Sequence, residues 1–61
     1  MNELESHYYR GILITISQEE NGKWLAVWIV DDNNPQECEM SSRKAALEWA
    51  KIKIDVFFNE H

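Results

Sequence analysis

Three side chains in this sequence belong to the types that bind soft metals or act as nucleophile and base: His7, Cys38 and His61. They are scattered along the chain with no paired spacing, so they predict no metal site. Nucleophilic catalysis needs a base and an orienting group beside a thiol or hydroxyl, and two histidines near the chain termini assemble no such set. Asp31-Asp32 has the composition of a paired-carboxylate site, but within Asp-Asp-Asn-Asn-Pro it reads as a turn. Asn21-Gly22 is the strongest short hairpin signal, and no Gly-rich array or Lys-Ser/Thr follows it to cradle a phosphate. The expectation is a chain with no enzymatic activity and no cofactor. Cys38 and Met40 then point inward from a short strand as core groups.

Trp24 and Trp28 offer a different chemistry. They stand four residues apart in an unbroken apolar run from Trp24 to Val30. On a strand they share a face, about 13 Å apart at standard rise. If Cys38 and Met40 face the core, Glu37 and Glu39 fall on the Trp side. Together they make an aromatic and acidic surface fit to receive an Arg or Lys side chain. Bulky aromatics without flanking polar groups act first as burial area, which favours a homodimer face.

The elements that position these groups must fit within 61 residues, enough for one domain spanning 1–61. A chain this short buries only about 60% of its unfolded surface. Its one cysteine cannot form an internal disulfide. No apolar run approaches the roughly 20 residues of a membrane span, and the Asn-Glu-Leu-Glu start lacks a signal-peptide pattern. The expectation is a soluble, cytoplasmic protein. Six basic and eleven acidic residues give a net charge of −5, which argues against a general nucleic-acid binder.

Residues 1–7 are polar and read as a flexible lead-in. The alternation around Ile12, Ile14 and Ile16 predicts a strand over 8–17, and the apolar run predicts a second over 23–31. A short third strand fits 36–40. Ser41-Ser42 offers an N-cap, and the Gly- and Pro-free segment beyond it predicts a helix over 42–59. The fold class is α+β: a three-stranded antiparallel meander packed on one C-terminal helix, β-β-β-α.

Register decides which side chains share a face. With Asn21-Gly22 as the central pair of a type I′ turn, Ile14 pairs with Ile29 and Gln18 with Leu25. Ile12, Ile14, Ile16, Leu25, Val27 and Ile29 then form the core face. Leu13, Thr15, Trp24, Ala26, Trp28 and Val30 form the outer one. On the helix, Ala46, Leu47, Ala50, Ile54, Phe57 and Phe58 make an inner stripe. Ala45, Trp49, Ile52 and Val56 make a second stripe roughly opposite, and Lys44–Glu48 and Lys51–Asp55 pair at i,i+4. One helix covers one sheet face, so this excess of apolar surface predicts association.

The stretch Asn21-Gly22-Lys23-Trp24-Leu25-Ala26-Val27, followed by a turn and by Ser42-Arg43-Lys44-Ala45-Ala46 opening a helix, resembles small β-β-β-α modules. Among these are the arm-type DNA-binding domains of phage integrases and HicB-type antitoxin domains. The resemblance spans about residues 8–56 and implies the fold, and no functional residue is carried over from it.

The functional expectation is a non-enzymatic interaction or regulatory module, partnered by a second copy or another protein and not by nucleic acid or membrane. Its interaction residues are Trp24, Trp28, Val30, Leu13, Trp49, Ile52, Val56, Glu37 and Glu39. The alternative is an acidic inhibitor that occupies a nucleic-acid-binding site on another protein, with Glu3, Glu5, Glu19, Glu20, Glu37 and Glu39 on one surface. DNA binding through Arg10, Lys23, Arg43 and Lys44 ranks last.

Overall fold

The computed structural model describes residues 4–30 and 34–60, so of the turn expected over Asp31-Asp32-Asn33-Asn34-Pro35 the first three residues lie outside the described residues, and Pro35 is the first residue of a strand. The chain forms β1 (Glu5–Tyr9), β2 (Ile12–Gln18), β3 (Trp24–Ile29), β4 (Pro35–Met40) and α1 (Arg43–Asn59). The strands make one antiparallel sheet in the order β1-β2-β3-β4, each bonded to its neighbour in sequence. The α+β class and the C-terminal helix agree with the sequence reading. The strand count does not: there are four, not three.

The extra strand comes from a turn the alternating pattern concealed. Part of the expected lead-in, from Glu5, is strand, and the expected strand over 8–17 is two strands broken at Arg10-Gly11. Tyr9 pairs with Ile12, leaving only those two residues in the loop, and both have positive φ, 55° and 82°. That is the geometry of a type I′ hairpin. Left-handed backbone costs a non-glycine residue roughly 1–2 kcal/mol. The Arg10 side chain is held on two sides, with Nη1 donating to Asp55 at 2.9 Å and the guanidinium 4.7 Å from the centre of the Phe58 ring.

Asn21-Gly22 is a turn, but a longer one than expected. Glu19 N–H donates to the Lys23 carbonyl at 2.7 Å, and Gly22 N–H donates to the Glu19 carbonyl at 3.0 Å. The loop is Glu20-Asn21-Gly22, with Gly22 at φ 87° closing a β-turn as a bulge. Asn21 Oδ1 accepts the Lys23 N–H at 3.0 Å, which steadies the bulge. One more loop residue shifts the ladder by one. Ile14 pairs with Trp28 and Gln18 with Trp24.

This shift carries every β3 side chain to the opposite face from the one expected. Ile12, Ile14, Ile16, Trp24, Ala26 and Trp28 face the helix. Leu13, Thr15, Ser17, Leu25, Val27 and Ile29 face away. The observed register places the largest side chains of β3 in the interior, and a tryptophan removes some 150–250 Å² from water. Ala26 sits between the two tryptophans, and Ala46 and Ala50 meet this face from the helix. Small residues on both sides let α1 approach the sheet closely. The core is Ile14, Ile16, Ala26, Trp28, Ala46, Ala50 and Ile54, with Cys38, Met40, Tyr9, Ile12, Trp24, Val30 and Leu47 packed around it.

The helix begins where the cap predicts. Ser42 Oγ accepts the Ala45 N–H at 3.1 Å, so Arg43 is the first helical residue. Ala46, Ala50 and Ile54 are buried, Leu47 and Phe57 half-buried, but Phe58, expected on the inner stripe, is exposed. Trp49, Ile52 and Val56 are exposed, Val56 at the seam where the helix meets the sheet near Trp28 and Val30. Asp55 is not given over to Lys51 as expected. It accepts the Tyr9 hydroxyl and Arg10, while the Lys51 ammonium lies 5.6 Å from the centre of the Tyr9 ring. No helix among the described residues is long and apolar enough to cross a membrane.

Candidate interaction surface

The tryptophan surface expected from the sequence does not exist. Trp28 is only 3% exposed and Trp24 is half-buried, both beneath α1, because the loop bulge reverses the face of β3. Val30 is half-buried and lines a shallow depression with Trp28, Gln36, Lys53 and Val56. Leu13 is exposed on the face away from the helix. Glu37 and Glu39 lie on that same outer face, opposite Val27 and Leu25, and not beside the tryptophans. Cys38 and Met40 point toward the core as expected, opposite Ala26 and Trp24.

The sheet face that α1 leaves open carries residues the sequence reading missed. Ile29 is 52% exposed and Tyr8 75% exposed, and both join Leu13 there, with Val27 and Leu25 half-buried further along β3, opposite Thr15 and Ser17. Tyr8 stands opposite Leu13, and the ladder carries Leu13 on to Ile29, so an apolar row crosses three strands of a face that also bears Thr15, Ser17, Glu37 and Glu39. Two turns decide it: Arg10-Gly11, which folds β1 and Tyr8 beside Leu13, and the three-residue loop before β3, which turns Ile29 outward.

Polar contacts tie β1 to the helix at both ends. Arg43 Nε donates to both Glu5 carboxylate oxygens, at 2.8 and 2.6 Å, and His7 Nε2 lies 3.3 Å from Glu5 Oε2. Those two partners, Arg43 first, hold the Glu5 carboxyl below its ordinary value. At the other end the Tyr9 hydroxyl donates to Asp55 at 2.9 Å, a bond that raises the phenol's pKa with help from desolvation. Burial likewise raises the Cys38 thiol, partly offset by a hydrogen bond from the Ala26 backbone, so the thiol stays protonated and a weak nucleophile.

The acids divide into separate groups. Glu19, Glu37 and Glu39 line one depression with Leu25, and Glu19, Glu20 and Glu39 line the next, so these four carboxylates are contiguous. Glu5 lies across the sheet with Arg43. Glu3 and His61 fall outside the described residues. Among the described residues, no group of three or more His, Cys, Asp or Glu is arranged to hold a metal ion. Of the bases considered for DNA, Arg10 and Arg43 are each paired with an acid.

No protein-family model, no curated protein and no solved structure matches this chain.

Proposed function

We propose that this chain is a non-enzymatic interaction module that docks a partner on the sheet face its helix leaves open, with the outer stripe of the helix as a second contact surface. The observation that supports it is the row Tyr8, Leu13 and Ile29, exposed together on one side of a four-stranded sheet. Apolar side chains grouped this way gain from association roughly in proportion to the area they lose to a partner. Glu37, one same-face step along β4 from the residue opposite Ile29, borders the row, and with Glu39 beyond it favours a partner with basic groups beside an apolar patch. A photo-crosslinking residue at Ile29 tests the reading in the cells that make the protein. It should give a discrete adduct of fixed mass, absent when the same residue replaces the exposed Asn59. A diffuse smear, or equal yields at both positions, refutes it.

The contiguous Glu19, Glu20, Glu37 and Glu39 favour a second reading, an acidic inhibitor that covers a basic nucleic-acid-binding surface. Such binding weakens steeply with salt, whereas apolar docking does not. Salt dependence of adduct formation separates the two.

A further inference from the structure

The two edges of the sheet are built differently. The two-residue loop makes Tyr9 and Ile12 a hydrogen-bonded pair, and bonded pairs then recur at His7–Ile14 and Glu5–Ile16. The backbone N–H and C=O of Ser6 and Tyr8 therefore point away from β2, along the outer edge of the sheet. On β4 the equivalent outward positions are Pro35, Glu37 and Glu39: one has no N–H, and the others carry charge. Proline and charge are common means of blocking an edge against pairing. The β1 edge has neither at its outward positions. It carries instead the two most exposed large apolar residues described, Tyr8 at 75% and Leu4 at 72%.

We infer that the β1 edge pairs antiparallel with β1 of a second copy, joining two four-stranded sheets into one of eight strands. One symmetric register satisfies the side chains on both faces. With Ser6 opposite Ser6 at the two-fold axis, Leu4 faces Tyr8 of the other copy on the open side. On the helix side, Glu5 faces His7 of the other copy, a carboxylate against a hydrogen-bond donor. The helix packs chiefly on β2, β3 and β4 and reaches β1 through Glu5 and Tyr9, whose side chains lie on the helix face and leave the outward backbone groups of Ser6 and Tyr8 uncovered. This deepens the proposed function by naming one partner, a second copy, and it uses the sheet edge and not the open face.

Sedimentation equilibrium over a concentration series tests it. Wild type should dimerise. Ser6→Pro removes one outward N–H and no bond to β2, so it should weaken dimerisation at least tenfold while far-UV circular dichroism stays near native. Glu37→Pro, its counterpart on the blocked edge, should leave dimerisation unchanged. In a Cys38→Ser background, Ser6→Cys should form a disulfide-linked dimer on mild oxidation. Cα atoms of a bonded pair stand about 5.5 Å apart, within disulfide range. His7→Cys should not crosslink, and this arm decides the matter should Ser6→Pro fail to fold. A monomeric wild type, equal dimerisation by Ser6→Pro, or crosslinking at His7 in preference to Ser6 overturns the inference. A crosslinker at Ile29 that gives no discrete adduct while wild type still dimerises refutes the open-face reading and leaves this one standing, and a discrete Ile29 adduct from a monomeric wild type does the reverse.

Discussion

Replacing Trp28 by Ala tests the register on which all the face assignments depend. The side chain is 3% exposed, in a core with Ile14, Ile16, Ala50 and Ile54, so truncation loses its transfer energy and leaves a cavity. Buried Trp→Ala substitutions cost about 3–5 kcal/mol. At the usual stability per residue, a 61-residue domain holds only about 3–9 kcal/mol in total. Trp28→Ala should therefore leave the chain largely or wholly unfolded. Ile29, the next residue, is half exposed on the opposite face, and Ile29→Ala should cost about 1 kcal/mol or less. Urea titration followed by far-UV circular dichroism compares the two without relying on tryptophan emission. A Trp28→Ala protein as stable as Ile29→Ala would refute the three-residue loop, for the two-residue alternative predicts the reverse order.

Three further outcomes follow from the local geometry. Gly22→Ala meets no atom within 4 Å, so its cost is backbone strain alone, about 1–2 kcal/mol by urea titration; a neutral result would mean that φ there is negative. Arg43→Met should move the Glu5 carboxyl titration, followed by carbon NMR, up toward 4.5. Because folding lowers this pKa, the wild-type contribution is present above the unfolded value and is lost as pH falls through the folded one, and an unmoved titration would show that the ion pair does not form. Cys38 should alkylate more slowly in the folded protein than in urea at mildly alkaline pH, and equal rates would mean that the thiol is not shielded.

The helix was legible because its signals are local and agree: a serine cap, a run without Gly or Pro, and apolar residues at helical spacing from Ala46 to Ile54. The outer stripe at Trp49, Ile52 and Val56 could be read for the same reason. Orientation of β3 could not. Asn-Gly suits the centre of a two-residue turn, and its glycine equally suits the left-handed position of a three-residue loop. Where one face of a strand is polar, the pattern decides between such loops; here Leu25, Val27 and Ile29 alternate with Trp24, Ala26 and Trp28, and both registers bury an apolar face. Arg10-Gly11 lacked the Asn or Asp that marks a type I′ turn, so β1 merged with β2. The contacts from Glu5 to Arg43 and from Tyr9 to Asp55 join residues 38 and 46 positions apart, a separation no local pattern encodes.

The order of elements also matters during synthesis. All four strands precede α1, and each pairs with its neighbour in sequence, so a nascent chain can close its hairpins while the helix is still being made. Until α1 leaves the ribosome, Ile14, Ile16, Ala26 and Trp28 have nothing above them but water. For that interval the emerging sheet has its core face open beside the exposed row on its other side, the kind of surface holding chaperones bind. The last seventeen-residue element is what ends the exposure, and a chain whose translation stalled after Met40 would keep its core face open, a natural substrate for proteolysis.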